Sequence, residues 1–218
     1  MEAILVFIFV AVGVAYWWLW RHKIMDKPWA TEGTEIDVRE DLGGMFSSAK
    51  TGLFFFLAVV TSVFSLFISA YFTRMEINDW LPVHEPGLLW FNTTLLVLAS
   101  VAIHWCSRAE REPVVKATLM ACGIFTIAFV VGQYMAWQQL ISDGHYLQSN
   151  PANAFFYLFT GLHALHIIGG LWVWLRATFR VFSGVELEEA RISVHLCRTY
   201  WHFLLIVWMV LFALLLST

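Results

Sequence analysis

Polar and apolar positions alternate in long blocks along this chain. Six apolar runs, at 3–20, 51–73, 87–107, 117–142, 151–175 and 199–217, are separated by short polar stretches. Each run holds roughly 18 or more residues, the length a helix needs to cross a hydrocarbon core of about 30 Å. None of the six contains Asp, Glu, Lys or Arg. Strands of a membrane barrel would be short and alternating, and these runs are neither. Backbone in lipid must satisfy its own hydrogen bonds, so the pattern predicts six transmembrane helices.

The longest polar stretch, "RHKIMDKPWATEGTEIDVREDLGGMFSSAK" at 21–50, carries Pro28, Gly33 and the Gly43-Gly44 pair. It divides the chain into an N-terminal transmembrane helix (1–23), a cytoplasmic linker (24–47) and a five-helix domain (48–218). The first run has Glu2 before it and Arg21-His22-Lys23 after it. A secretory signal has the opposite polarity, so this segment is expected to be a retained helix. The stretch "VELEEAR" at 185–191 reads as a short surface helix within the loop 178–197.

Charge adds an orientation. With 21–50, 108–116 and 176–198 in the cytoplasm, twelve of the 13 Lys and Arg lie inside and only Arg74 lies outside. That asymmetry obeys the positive-inside rule and puts both termini outside the cytoplasm. Trp17, Trp18, Trp20, Trp80, Trp90, Trp105 and Trp201 fall near run ends, where indoles favour the headgroup region. Composition agrees with the class: 60% of residues are hydrophobic and 13% charged, against roughly 25% charged in soluble domains. A net charge of −3 gives no reason to expect a nucleic-acid partner.

The candidate chemistry lies with histidine. His163 and His166, three residues apart in "FFYLFTGLHALHIIGG", share one helix face. His104 and His202 also fall inside runs, while His22, His84, His145 and His195 fall in loops or at run edges. A metal would find no carboxylate or thiolate at their depth. A haem would need paired ligands at matching depth on two helices. The plainer expectation is neutral imidazoles hydrogen-bonded between helices, with Gly161, Ala164, Gly169 and Gly170 allowing close approach. Cys106, Cys122 and Cys197 form no CxxC and read as free thiols. Ion paths through membranes are usually marked by buried charges. With none in any run, the chain reads as a packing partner rather than a translocator.

Three stretches carry a resemblance to a known family. "NAFFYLFTGLHALHIIGG", "YWHFLLIVWMVLF" and "WFNTTLLVLASVAIHW" resemble helices of subunit III of the haem–copper oxidases, and the likeness covers about residues 48–217. The resemblance implies an all-α polytopic membrane bundle, a five-helix subunit III core plus one N-terminal transmembrane helix. It implies a non-catalytic subunit with no cofactor or metal of its own. Haem and copper would belong to partner subunits, subunits I and II, in a prokaryotic plasma membrane. It further implies phospholipid binding, support of proton uptake in aerobic electron transport, and further small subunits as partners. The packing motif is expected at Asn92, Thr93, Gln133, Trp137, Gly161, His163, His166, Gly170, Tyr200, His202 and Trp208.

The departures are specific. Where the family places intramembrane acids, this chain has Val60, Ala136 and Leu205. A role that depends on those carboxylates is in doubt. Three other readings stand beside this one: the related subunit accompanying nitric oxide reductases, a free-standing transporter or assembly factor, and a membrane metalloenzyme.

Overall fold

The computed structural model describes residues 38–77, 79–81, 87–183 and 187–217. The expected helix at 1–23 and most of the linker, with Trp17, Trp18, Trp20 and His22, lie outside the described residues, as does His84. Contacts divide the chain into Met1–Gly44 and Met45–Thr218, and the second unit holds the bundle.

Its helices are α1 (Val38–Met75), α2 (Leu88–Arg108), α3 (Glu112–Ser142), α4 (Pro151–Phe182) and α5 (Leu187–Leu216). Each contains a segment long and apolar enough to cross a membrane. Every described regular element is helical: the fold is all-α, and five membrane-spanning helices lie among the described residues. Helix ends outrun the apolar runs. α1 begins at Val38 rather than Thr51, and "LEEAR" forms the first turns of α5 instead of a separate surface helix. The reason is that hydropathy reports the lipid-spanning length, whereas a helix continues into water wherever nothing breaks it.

α2 to α5 form a closed ring of antiparallel neighbours, with α2 against α3, α3 against α4, α4 against α5 and α5 back against α2. The α2–α3 connection is only Ala109 to Arg111, which forces the two side by side. Buried positions advance by alternate threes and fours. On α3 they are Val115, Leu119, Cys122, Thr126, Phe129, Gln133, Ala136 and Leu140. α4 shows the same spacing at Phe156, Thr160, His163, Ile167, Gly170, Trp174, Ala177 and Val181. A repeat of 3.5 keeps one seam facing the bundle axis over the full length of each helix.

α1 stands apart. Only a small fraction of its apolar segment is buried, and it touches the ring through Val60, Phe64 and Tyr71, which meet Phe159, Leu211 and Leu214. Val60, where an acid is absent, therefore sits inside a wholly apolar contact.

Loops are pinned by side chains. Asn150 caps α4 by accepting from the Ala152 N–H (3.2 Å) and donates to the Leu81 carbonyl, clasping the α1–α2 loop to the α4 terminus. Arg74 grips Asp79 in a two-pronged pair with both contacts at 2.6 Å. The guanidinium hydrogen bonds hold the Asp79 carboxyl below the usual carboxylate range.

Two consequences are measurable. A methyl at Gly123 would lie 2.1 Å from Trp174 Cζ2, while one at Gly169 meets nothing within 4 Å. Gly123→Ala should cost about 1–3 kcal/mol of overpacking and lower the thermal midpoint in detergent; Gly169→Ala should not. The Arg74–Asp79 clasp is complete above the ordinary Asp pKa and is lost as pH falls through Asp79's depressed value. Amide exchange at residues 76, 77 and 79–81 should therefore rise only when pH falls below the ordinary carboxylate range, and Asp79→Asn should show the raised exchange already at neutral pH.

Candidate functional site

The interior contains polar groups that water cannot reach, and their partners decide how the ring closes. Three tryptophans on α3 and α5 share one arrangement. Trp208 Nε1–H donates to Thr93 Oγ1 (2.9 Å), Trp201 to Thr126 (3.0 Å) and Trp137 to Thr160 (3.0 Å). Each threonine hydroxyl in turn donates to the carbonyl four residues back, Leu89, Cys122 and Phe156 respectively. The hydroxyl thus commits its proton to its own helix and its lone pair to the neighbouring indole. A fourth indole, Trp174, donates directly to the Leu119 carbonyl at 3.0 Å, above the close approach at Gly123. These bonds join α5 to α2, α5 to α3, and α3 to α4 twice.

The sequence-predicted residues fall around these ties. Gly161 lies opposite the Trp137 ring. Tyr200 donates its hydroxyl to the His166 carbonyl (2.9 Å) and lies over Gly170, where an added Cβ would come within 2.7 Å of the ring. His166 bonds within its own helix, Nδ1 to the Leu162 carbonyl at 2.7 Å. His202 bonds across the α2–α5 seam to Ser100 and His104.

His163 corrects the expectation of imidazoles bonded between helices. It is fully buried, and neither Nδ1 nor Nε2 has a partner among the described residues. Its neighbours are rings: Trp208 at 5.2 Å and Phe129 at 6.0 Å between centroids. Phe129 also stands edge-on to Trp208 at 5.0 Å, so His163 acts as a third ring in an aromatic wedge. One turn along α3, Gln133 meets Asn92 of α2 through a single long amide contact of 3.5 Å, which leaves Asn92 Oδ1 and Gln133 Nε2 without a partner among the described residues. Nearness to a run end suggested a headgroup position for Trp201; it is instead 1% exposed and part of the core. Trp90 and Trp105, 60% and 67% exposed, face outward.

Thr126, Thr160, Trp174 and Ser100 hold the helices together but were not singled out from the sequence, whereas His104, expected among the intramembrane histidines, does bond across to His202. The available signal was a threonine at a core register position, which hydropathy does not reward. The three cysteines are free and buried. Among the described residues no three His, Cys, Asp or Glu side chains gather as a metal would require.

Fold and interior together define a polytopic helical membrane protein whose polar interior groups link helices. Comparison with known proteins makes this specific. The family model described as cytochrome c oxidase subunit III matches residues 2–217, and the chain belongs to that family. It is similar to cytochrome c oxidase subunit 3 of Pylaiella littoralis, 26% identical over 214 residues that make up 94% of this chain and 76% of the relative. The protein of that name from Cyanidium caldarium is 25% identical over 185 residues, 75% of this chain and 64% of the relative. A probable cytochrome c oxidase subunit 3 of Mycobacterium bovis is 36% identical over 88 residues, 40% of this chain and 43% of the relative. This chain thus spans less than two thirds of the Cyanidium and mycobacterial proteins.

The His163 geometry yields a contrast between two substitutions. His163→Ala leaves a hole in the Phe129–Trp208 wedge and should cost roughly 2–4 kcal/mol. His163→Leu removes two unpaired buried nitrogens and should retain or raise the thermal midpoint in detergent. A loss with Leu as large as that with Ala would mean that the imidazole nitrogens are bonded in the membrane-embedded protein.

Proposed function

We propose that this chain is the non-catalytic subunit III of a haem–copper terminal oxidase of the cytochrome c oxidase type, an accessory component of a proton-pumping complex. Oxygen reduction, haem and copper belong to its partners, subunits I and II. This chain packs on the catalytic subunit, binds phospholipid and supports proton uptake at the cytoplasmic face of a prokaryotic plasma membrane. The observation that carries the reading is the family match along nearly the whole chain. The interior supports it, because its polar groups bind helix to helix.

Two hollows support the lipid role. Where α1 stands off, an apolar cavity of about 450 Å³ opens between Leu53 and Phe56 on one side and Gly169, Val173, Tyr200 and Trp201 on the other. Its lining is almost wholly hydrocarbon and aromatic, as an acyl chain needs. Near the C-terminal end of α4, Arg176 and Arg180 lie one turn apart with Trp172, Phe179 and Ser183 around a hollow of about 460 Å³. Guanidinium groups pair with phosphate oxygens while the rings lie at headgroup level. The positive-inside distribution supports a cytoplasmic position for that end.

The test is purification through a tag on this chain in mild detergent. A haem–copper oxidase spectrum and catalytic and copper subunits in the eluate are expected; a haem-free eluate would sink the reading. A reporter after Thr218 should read as periplasmic and one near Gly33 as cytoplasmic. Depleting the subunit should slow proton uptake or shorten working lifetime without abolishing oxygen reduction. Unchanged uptake and lifetime would remove the supporting role.

A further inference from the structure

The apolar cavity of about 450 Å³ between α1 and the α4–α5 seam has four polar side chains in its walls, His166, Cys197, Tyr200 and Trp201. The use of each can be followed. Tyr200 donates its hydroxyl to the His166 carbonyl (2.9 Å), and Trp201 donates its indole N–H to Thr126 (3.0 Å), so both donors are spent inside the protein. His166 Nδ1 lies 2.7 Å from the Leu162 carbonyl. A carbonyl only accepts, so Nδ1 carries the proton, and Nε2 of the uncharged ring keeps a lone pair. That lone pair has no partner among the described residues. Cys197 is a free thiol, a weak donor at best. The side chains of this cavity therefore offer one strong acceptor and no strong donor.

Depth and shape narrow what can use it. His166 lies ten residues before Arg176, the first charged residue along α4. That is about 15 Å along the axis, half of a hydrocarbon core of about 30 Å. A phosphate would have to leave the headgroup region to reach Nε2. A carboxylate would find no Lys or Arg in the lining. A plain acyl chain has no proton to donate. A lone water needs two or more polar partners, and the walls supply one.

An uncharged hydroxyl on an apolar body is what remains, and the walls favour a ring as that body. Phe56 lies 6.4 Å from the His166 ring and 6.0 Å from Tyr200 between centroids, tilted to both. Gly169, one turn from His166 on the same face, also lines the cavity, and a Cβ added there would meet nothing within 4 Å. Space for a flat group thus adjoins the imidazole, among aromatic faces.

We propose that this cavity is a binding site for a neutral phenolic lipid, a ring hydroxyl on a hydrocarbon tail, whose O–H donates to His166 Nε2. The inference deepens the lipid role proposed above by naming the class of lipid that this one cavity takes. The tail lies along the apolar walls, and the ring occupies the space beside Gly169.

The test uses the tagged chain purified with its partners in mild detergent. The probe is 4-dodecylphenol with a photoreactive diazirine on the tail carbon next to the ring. Illumination should label this chain's own peptides around Leu53–Phe56 and Leu165–Val173. Unlabelled 4-dodecylphenol should compete roughly three- to tenfold better than its methyl ether, the scale of one net hydrogen bond. Equal competition by phenol and ether overturns the proposal. Gly169→Phe, which fills the space beside the imidazole, should abolish labelling; unchanged labelling overturns the site. In His166→Phe the phenol should lose its advantage over the ether, and an advantage that persists overturns the assigned acceptor. If that variant does not assemble, the ether comparison on the native protein decides alone. Solvent extracts of native and Gly169→Phe complexes separate the natural sources by mass: a hydroquinone or a monophenol should be depleted in the variant, and depletion of neither overturns a natural ligand of this class. Phosphatidylglycerol competing as well as the phenol refutes this inference and leaves the lipid role standing, whereas an eluate free of all bound lipid refutes that role itself.

Discussion

A polar group buried in a membrane bundle has no water to fall back on, and this constraint shapes the interior. The indole is a suitable answer: a large apolar body with one donor at its edge. Threonine is the matching acceptor, because its hydroxyl proton is already committed to its own helix and its lone pairs point outward. Trp208 on Thr93, Trp201 on Thr126 and Trp137 on Thr160 repeat that solution at three helix–helix contacts. Lipid tails are as apolar as leucine, so burial alone would not choose partners for these helices. The ties and the close glycine contacts at Gly123 and Gly170 make the choice specific.

The same constraint separates two kinds of surface. Among the described residues most polar atoms inside the ring are paired, with His163, Asn92 Oδ1, Gln133 Nε2 and Asn153 Oδ1 as the exceptions. His163 sits between Phe129 and Trp208, where shape and contact area compensate in part for missing hydrogen bonds. Outside the ring, α1 leans on the α4–α5 side through a few aromatic and aliphatic contacts and leaves an apolar hollow beside them. A helix held so lightly suits a boundary shared with lipid. The α2–α5 side offers instead a trough with a polar row at its base. One bundle therefore presents chemically different faces on its two sides.

Membrane class and the five described spanning helices were legible in the chain because lipid thickness imposes a length and excludes charge. Family membership was legible because "TGLHALHIIGG" and "YWHF" combine rare residue types at fixed spacing. The polar ends were less legible. The apolar runs begin at Thr51 and Thr199, but α1 starts at Val38 and α5 at Leu187, since helix continuity does not depend on apolarity. Trp201 shows a second limit. A tryptophan near a run end reads as a headgroup residue, and its place in the core follows from its register beside Leu204 and Trp208, not from its distance to the end.

By itself, then, the sequence determined that the chain crosses a membrane, where five of its helices do so, and which family it belongs to. Which side of each helix faces protein and which faces lipid was decided by the tertiary structure. The physical reason is that both environments are apolar, so composition around each helix is nearly uniform and period alone cannot orient it. Only packing distinguishes Val101 from Ile103, or Leu165 from Ile167: residues of similar hydropathy, one outside and one inside. The same holds for histidine. The sequence placed His104, His163, His166 and His202 in the membrane. Tertiary structure made one a ring among rings, one a helix-internal donor, and two a row across the α2–α5 seam.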